Sequence, residues 1–376
     1  MSSDPRPTAV ILDSSVAVTG GLRAAQRMAK LLAPWLRFVL VLPSAARIDA
    51  RELQPFAAVE RLRLVQLRKS FGAVASYGPA LLASGVGLLR LLRKHRAQVL
   101  VVNDFFQLQG WVARSLGWRG RMVTWVRFDP WRFPRPIASL WVAAARQASD
   151  EVVAVSRFIA ERLPAGTNAK LLYDCIDPEL AAVPKPDQRR EDILFVGNYI
   201  PGKGQDDAIE AFQEVAARFP QARLLFHGGD MGLAKNRGYR TGLQRRVREL
   251  GLGERVLFGD FATDLPSALA GARMALNLSR SESFSLTCLE AQQLGVPVIS
   301  YRSGGPEEII EDGTTGHLVG VGDIAEIAAA MARLLERPHL AERMGAAAAR
   351  SVRERFGPEA FVAAVLPLLR GPGALN

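Results

Sequence analysis

Short apolar runs that stop at glycine or polar turns, and then give way to apolar residues spaced three and four apart, recur along the whole of this chain. Strand and helix alternating in this order specify a parallel sheet covered by helices on both faces, since each crossover must carry the chain back to the starting edge. The first run is residues 9–13, followed by Gly20 and Gly21 and then by Leu22, Ala25, Met28, Leu31 and Leu32 at helical spacing. Further strands are predicted at 38–42, 62–67, 99–102, 122–126 and 151–155, with a helix over 80–93. Ser156 is positioned as the N-cap of a helix starting near Arg157. The alternation restarts at 193–196, with a helix over 206–218 and strands at 223–226, 255–258, 275–278 and 298–301.

Between the two series, residues 182–192 contain Pro184, Pro186, Asp187, Arg189 and Arg190 without apolar periodicity, which reads as a linker. The expected organisation is a Rossmann-like domain over 1–182, a linker over 183–192, a second Rossmann-like domain over 193–356 and a terminal helical segment over 357–376. A length of 376 residues suits two domains, and 49% hydrophobic residues exclude a disordered chain. Two cysteines, Cys175 and Cys288, are too few for a disulfide framework or the usual structural zinc site, which fits a reducing compartment. Residues 1–8 lack the apolar core of a signal peptide. The uncharged run 71–89 is long enough to span a bilayer, but its glycines, serines and Pro79 favour a loop followed by a buried helix. Two doubly wound domains are expected to leave a cleft at the carboxyl ends of their sheets, the default ligand site of such folds.

The most specific stretch runs from Glu282 to Glu290, through Phe284, Ser285, Leu286 and Thr287, and continues to Gly295-Val-Pro-Val-Ile299 and Gly304-Gly305. Glu282 falls in the loop after a strand and Glu290 inside the following helix. A carboxylate two turns into a helix can accept paired hydrogen bonds from the hydroxyls of a sugar or ribose. The helix's first-turn amides, at the positive end of its dipole, suit a pyrophosphate. For an isolated glutamate pair, a capping residue and a solvated helix charge would be the default reading.

The four pieces together, Glu282 to Glu290, Gly295 to Ile299, Gly304-Gly305 and Glu311 to Gly316, resemble in order and spacing the donor motif of retaining glycosyltransferases with the GT-B fold, the family 4-like group 1 glycosyltransferases. The strand at 193–196, Gly197, Lys203 and Gly204 resemble the family's pyrophosphate loop, in which Asn198 stands where the family carries an arginine. Gly20 and Gly21 resemble its glycine-rich loop. The resemblance implies two Rossmann-like domains around a cleft, a terminal helix crossing back to the first, and retaining, metal-independent transfer of a hexosyl group from a nucleotide-diphosphate sugar, with no cofactor beyond that co-substrate. It implies donor contacts from Gly20, Gly21, Gly197, Asn198, Lys203, Phe261, Glu282, Phe284, Ser285, Leu286, Thr287 and Glu290. Many members carry a histidine in the region matching 125–129. Here Arg127 is present, and none of His95, His227, His317 and His339 falls there. The catalytic candidates are therefore Glu282, Lys203, Asp104, Arg127 and Asp129, with Arg127 facing an anionic acceptor, the phosphates or Asp129. Retention in this family is understood as a front-face reaction in which the leaving phosphate takes the acceptor's proton, which lessens the need for a protein base. No Asp-x-Asp motif or metal-ligand spacing is present.

Charge is divided unequally. Residues 1–180 hold 25 Lys and Arg against 13 Asp and Glu, whereas residues 181–376 hold 23 against 24, so the net +11 lies in the first half. Arginine clusters at 61–69, 90–96, 119–127 and 132–135, the last two interleaved with Trp125, Phe128, Trp131 and Phe133, suit an anionic bilayer surface. The expectation is a cytoplasmic enzyme, peripheral on the inner face of the plasma membrane, that meets a lipid-linked or anionic glycan acceptor in bacterial glycan, glycolipid or polysaccharide assembly. Basic charge also suits nucleic acid, but no nucleic-acid-binding module is recognisable, so no such partner is expected. A nucleotide-sugar epimerase on the same fold, or a nonenzymatic anion- or nucleic-acid-binding or catalytically lost homologue, are the alternatives.

Overall fold

The strands are near-continuous apolar runs because both faces of each sheet are covered. A computed structural model describes residues 4–64, 71–260 and 264–371. Seven parallel strands form the first sheet: β1 (Thr8–Leu12), β2 (Arg37–Pro43), β3 (Ala58–Leu62), β4 (Val99–Val102), β5 (Arg121–Val126), β6 (Glu151–Ala154) and β7 (Lys170–Leu171), in the order β3-β2-β1-β4-β5-β6-β7. Its helices are α1 (Gly20–Leu32), α2 (Phe71–Lys94), α3 (Gln109–Ser115), α4 (Arg135–Ala148) and α5 (Arg157–Glu161). Every residue of β1 and β4 is buried, while the two residues of β7, at the edge, are exposed.

The second sheet has six parallel strands: β8 (Asp192–Val196), β9 (Arg223–His227), β10 (Val256–Gly259), β11 (Met274–Asn277), β12 (Val298–Tyr301) and β13 (Gly316–Val319), in the order β10-β9-β8-β11-β12-β13. It is accompanied by α6 (Gln205–Ala216), α7 (Ala234–Glu249), α8 (Leu265–Gly271), α9 (Leu286–Gln293), α10 (Pro306–Ile309), α11 (Ile324–Glu336) and α12 (Pro338–Arg355). A last helix, α13 (Pro358–Arg370), follows. Contacts divide the chain into two units, one running to Asp174 and resuming at Glu359, the other Cys175–Pro358. In the first unit the Arg121 side chain donates to the Leu368 carbonyl of α13. In each sheet the strand order reverses beside the first strand, between β1 and β4 and between β8 and β11.

Three local expectations differ from the structure. The run 71–89 is helical throughout, within α2, and Pro79 lies inside the helix. Two of the glycines that suggested a loop are close-approach positions. A Cβ on Gly85 would lie 2.3 Å from Val112 of α3, and one on Gly87 would lie 2.6 Å from Leu62 of β3. The strand expected at 62–67 is β3, ending at Leu62; residues 65–70, including Arg68 and Lys69, lie outside the described residues. The linker-like residues 183–192 fall after the start of the second unit, and Arg189 docks on it. Its Nε donates to the Ala270 carbonyl at 3.1 Å and its Nη2 to the Leu294 carbonyl at 3.0 Å, so one guanidinium satisfies the ends of α8 and α9. Arg190 uses its main chain, N–H to the Gly271 carbonyl, and its largely exposed side chain reaches Asp192 Oδ2 at 3.2 Å, a carboxylate that Arg223 already holds through both oxygens.

Arg189→Ala is expected to lower the unfolding free energy of the second unit by about 2–3 kcal/mol, the loss of two charge-assisted bonds to carbonyls. Arg190→Ala should cost less than about 0.5 kcal/mol. Urea titration of the two variants checks this, and equal effects would contradict the docking role of Arg189.

Candidate functional site

The register of the second sheet builds its site. Leu276 of β11 pairs with Phe195 of β8, so the chain leaves both strands side by side at the order reversal. The loop after β8 carries Gly197, Asn198, Lys203 and Gly204; the loop after β11 carries Glu282. They are pressed together. Gly204 has φ 85°, and a Cβ on it would lie 2.2 Å from the Leu278 carbonyl oxygen. Lys203 Nζ reaches Glu282 Oε2 at 2.8 Å, both side chains being partly exposed.

The Glu282 loop is fixed from the other side by the turn after β12. Glu282 N–H donates to the Ser303 carbonyl at 2.9 Å, and the Glu282 carbonyl accepts from Gly305 N–H at 2.8 Å. A Cβ on Gly305 would lie 2.2 Å from Phe284 Cα, and Gly304 has φ 110°, so each of the two positions favours glycine. Phe284 is buried and packs edge-on against Phe356, 5.5 Å between ring centroids. α9 then begins at Leu286 with Ser285 as its N-cap, the hydroxyl accepting from Cys288 N–H at 3.3 Å. The first-turn amides of Leu286 and Thr287 have no acceptor inside the helix. Glu290, half-buried, lies on the same helix. The second unit thus joins Lys203 to Glu282, ties the Glu282 loop through Gly305 to the turn after β12, and leads it into the α9 N-terminus: one ammonium, one carboxylate and the first amides of a helix, a set suited to an anion bearing a polar group.

Asn198, in the arginine position, is committed to the fold. Its Oδ1 accepts from Gly229 N–H at 3.2 Å and its carbonyl from Gln205 Nε2 at 2.9 Å. Gly228 is the glycine this junction requires, since its Cβ would sit 1.9 Å from the Gly197 carbonyl oxygen; Gly197 itself has ordinary space. Phe261 lies outside the described residues. The Cys288 thiol is buried, and burial pushes its pKa up to about 11, so it is no nucleophile at neutral pH.

In the first unit, polar residues at the strand ends form one buried chain. Asn103, after β4, donates through Nδ2 to Asp13 and, at 3.1 Å, to the Gly21 carbonyl, and its Oδ1 accepts from Arg127 Nε at 2.6 Å. Arg127 Nη1 in turn contacts both oxygens of Asp174, at 3.0 and 2.8 Å. Gly21 thus joins this chain, whereas Gly20 has open space around it. Arg127 does not pair with Asp129. That carboxylate caps the turn at Trp131 N–H and holds Arg162 Nε at 3.1 Å. The Arg127 side chain is buried, and its equally buried partner Asp174 offsets its charge locally. Asp13, Asn103 and Asp174 belong to no sequence motif. The first two are strand-end polar residues, a signal the sequence carries, but nothing local marks Asp174.

Asp104 is buried beneath this chain, its Oδ1 accepting from the N–H groups of Phe105 at 3.0 Å and Arg127 at 3.3 Å. Burial raises its pKa to about 7 against those hydrogen bonds and the nearby Arg127.

Residues 177–351 match the glycosyl transferases group 1 family. That match covers 175 of the 376 residues, all within the second unit, and makes this unit similar to the group 1 glycosyltransferases. It is 30% identical over 235 residues to the GDP-mannose-dependent alpha-(1-6)-phosphatidylinositol monomannoside mannosyltransferase of Mycolicibacterium smegmatis, a match spanning 56% of this chain and 60% of that protein. It is 30% identical over 304 residues to the D-inositol 3-phosphate glycosyltransferase of Nocardia farcinica, over 68% of this chain and 64% of that one. These matches span less than two thirds of either relative. The fold is that of Anabaena HepE, solved in complex with UDP and glucose, at TM-score 0.81 and 21% identity over 96% of this chain and 99% of that one. The chain has the GT-B architecture, two doubly wound parallel-sheet domains.

A carboxyl with a raised folded pKa stabilises the protein below its unfolded pKa, and that contribution is lost as pH rises through the folded pKa. Wild-type stability contributed by Asp104 should fall between about pH 4 and pH 7. Asp104→Asn keeps the acceptor oxygen without the charge, so its advantage over wild type should be near zero at pH 4 and grow to at most about 4 kcal/mol by pH 8. Urea unfolding across this range checks it, and a difference that does not vary with pH would contradict the burial of an ionisable carboxyl.

Proposed function

We propose that this protein transfers a hexosyl group from a nucleotide-diphosphate sugar to an acceptor hydroxyl, with retention of configuration, in the assembly of a bacterial glycan, glycolipid or polysaccharide. The observation that carries this reading is Lys203 Nζ held 2.8 Å from Glu282, in the loop that leads into α9. Lys203 and the Leu286 and Thr287 amides take the donor diphosphate, and Glu290 takes hydroxyls of the sugar or ribose. Glu282 faces the transferred sugar. Stabilisation of the leaving group by an ammonium and oriented amides lets transfer proceed without a divalent metal. HepE was solved with UDP, and the mycobacterial relative is named for GDP-mannose, so the reading leaves the base open.

The ion pair gives this reading a distinctive signature. Diphosphate has to replace Glu282 as the partner of Lys203, so the two residues oppose each other in nucleotide binding. Lys203→Ala should weaken nucleotide-diphosphate affinity about 10–100-fold, the loss of a charge-assisted contact. Glu282→Gln should leave that affinity unchanged or raise it, while transfer falls at least about 100-fold. Calorimetry against UDP, GDP, ADP and dTDP, with product release measured from the matching sugars, checks this. Wild-type transfer by both variants would remove the assignment.

The acceptor belongs to the first unit, and its chemistry is lipid-linked or anionic. Support comes from the exposed surface of residues 128–140. Phe128 is 43% exposed and Leu140 67% exposed. Arg132 lies over the Phe128 ring and Arg135 over Trp131, at 5.6 and 5.7 Å. Trp125, by contrast, is fully buried, and Arg121 pairs with Glu151, so neither belongs to that surface. No helix among the described residues is long and apolar enough to cross a membrane. Cytoplasmic, peripheral attachment to an anionic bilayer through this surface fits both facts. The protein should float with anionic vesicles at low salt and remain unbound with neutral ones, and combined Phe128→Ser and Arg132→Ala should abolish the difference. Equal recovery with both vesicle types would refute membrane contact.

A further inference from the structure

The loop that carries Glu282 closes around one side chain, Asn277, the last residue of β11. Its carboxamide touches both ends of the loop. Oδ1 accepts from Ser279 N–H at 3.2 Å, at the loop's start. Nδ2 donates to Ser285 Oγ at 2.5 Å and to Cys288 Sγ at 3.3 Å, where the loop becomes α9. The Asn277 carbonyl is itself held by Ser300 Oγ at 2.9 Å, which anchors the arrangement to β12.

Ser285 is the residue this bond controls. It has φ 86° and ψ 85°, a left-handed backbone that a Cβ disfavours, and it is buried. A residue in that conformation persists only where its surroundings over-determine it. Here its hydroxyl is held between Asn277 Nδ2 and Cys288 N–H, and the preceding Phe284 is pressed by Gly305. Returning Ser285 to negative φ would rotate the peptide planes that follow, which carry the amides of Leu286 and Thr287. It would also shift the loop that aims Glu282 at Lys203.

We propose that Asn277 is a positioning residue for the donor diphosphate: by pinning Ser285 in its left-handed backbone it aims the first amides of α9 and holds the Glu282 loop. This role rests on the donor-site reading above. The probes are UDP, GDP, ADP and dTDP, titrated calorimetrically into the full chain, with thermal unfolding recorded in parallel. For whichever nucleotide the wild type binds, Asn277→Ala should raise Kd at least about tenfold in protein that retains its cooperative unfolding. Adding Ser285→Gly to Asn277→Ala should recover most of that loss, since glycine adopts the left-handed backbone without a tie. A purely structural contact would give no such rescue of affinity. Ser285→Ala, which keeps the Cβ and removes the hydroxyl, should weaken binding like Asn277→Ala, and it decides the matter if the latter does not fold. Wild-type affinity in Asn277→Ala or in Ser285→Ala, or a double variant no better than Asn277→Ala alone, would overturn the positioning role while leaving the donor site standing. A wild-type protein that binds none of the four nucleotides would overturn the donor-site reading and this role with it.

Discussion

Backbone crowding at the order reversal of the second sheet is the constraint on which the site depends. Four loops meet where β8, β9, β11 and β12 end, and they meet closer than side chains allow. Gly204 lies against the Leu278 carbonyl, Gly228 against the Gly197 carbonyl and Gly305 against the Phe284 backbone. Each missing Cβ brings two main chains together, and the result is a Glu282 loop with one place to lie. The Lys203 to Glu282 pair is a consequence of that geometry. Partly exposed, it contributes little to stability. Its importance is as a polar pair that an incoming diphosphate can divide.

The first unit uses charge differently. Arg127, Asn103, Asp13 and Asp174 satisfy one another across the ends of β1, β4 and β5, and Asp104 beneath them is held near the point of neutrality by burial. Arg127 is thereby set against two carboxylates, so this cluster carries no excess positive charge, although the unit holds the excess of arginine. That excess is displayed outside, as in the Arg132 and Arg135 contacts to aromatic rings. Arg127 is a cation already paired with Asp174, which argues against it as a ligand for an anionic acceptor.

Much of this was legible in the sequence because parallel strands are apolar throughout and end abruptly: residues 99–102 and 298–301 were located without error at either end. The Glu282 to Glu290 spacing was legible because it is local, a loop and two turns of one helix. What escaped was set by distant neighbours. The glycines of α2 look like helix breakers until Val112 and Leu62 are placed beside them. Arg189 looks like a linker residue because its partners, Ala270 and Leu294, are about 80 and 100 residues away. Asp174 and Asn277 carry no motif, and their roles depend on side chains that only the folded sheet brings within reach.

The central claim is that a nucleotide diphosphate takes Lys203 from Glu282 and lies on the first turn of α9. A crystal structure of the protein with the nucleotide diphosphate it binds tests this directly. The account predicts phosphate oxygens within hydrogen-bond distance of the Leu286 or Thr287 amides and of Lys203 Nζ, with the Lys203 to Glu282 contact lengthened beyond 2.8 Å. Phosphates bound elsewhere, with that pair unchanged, would contradict it.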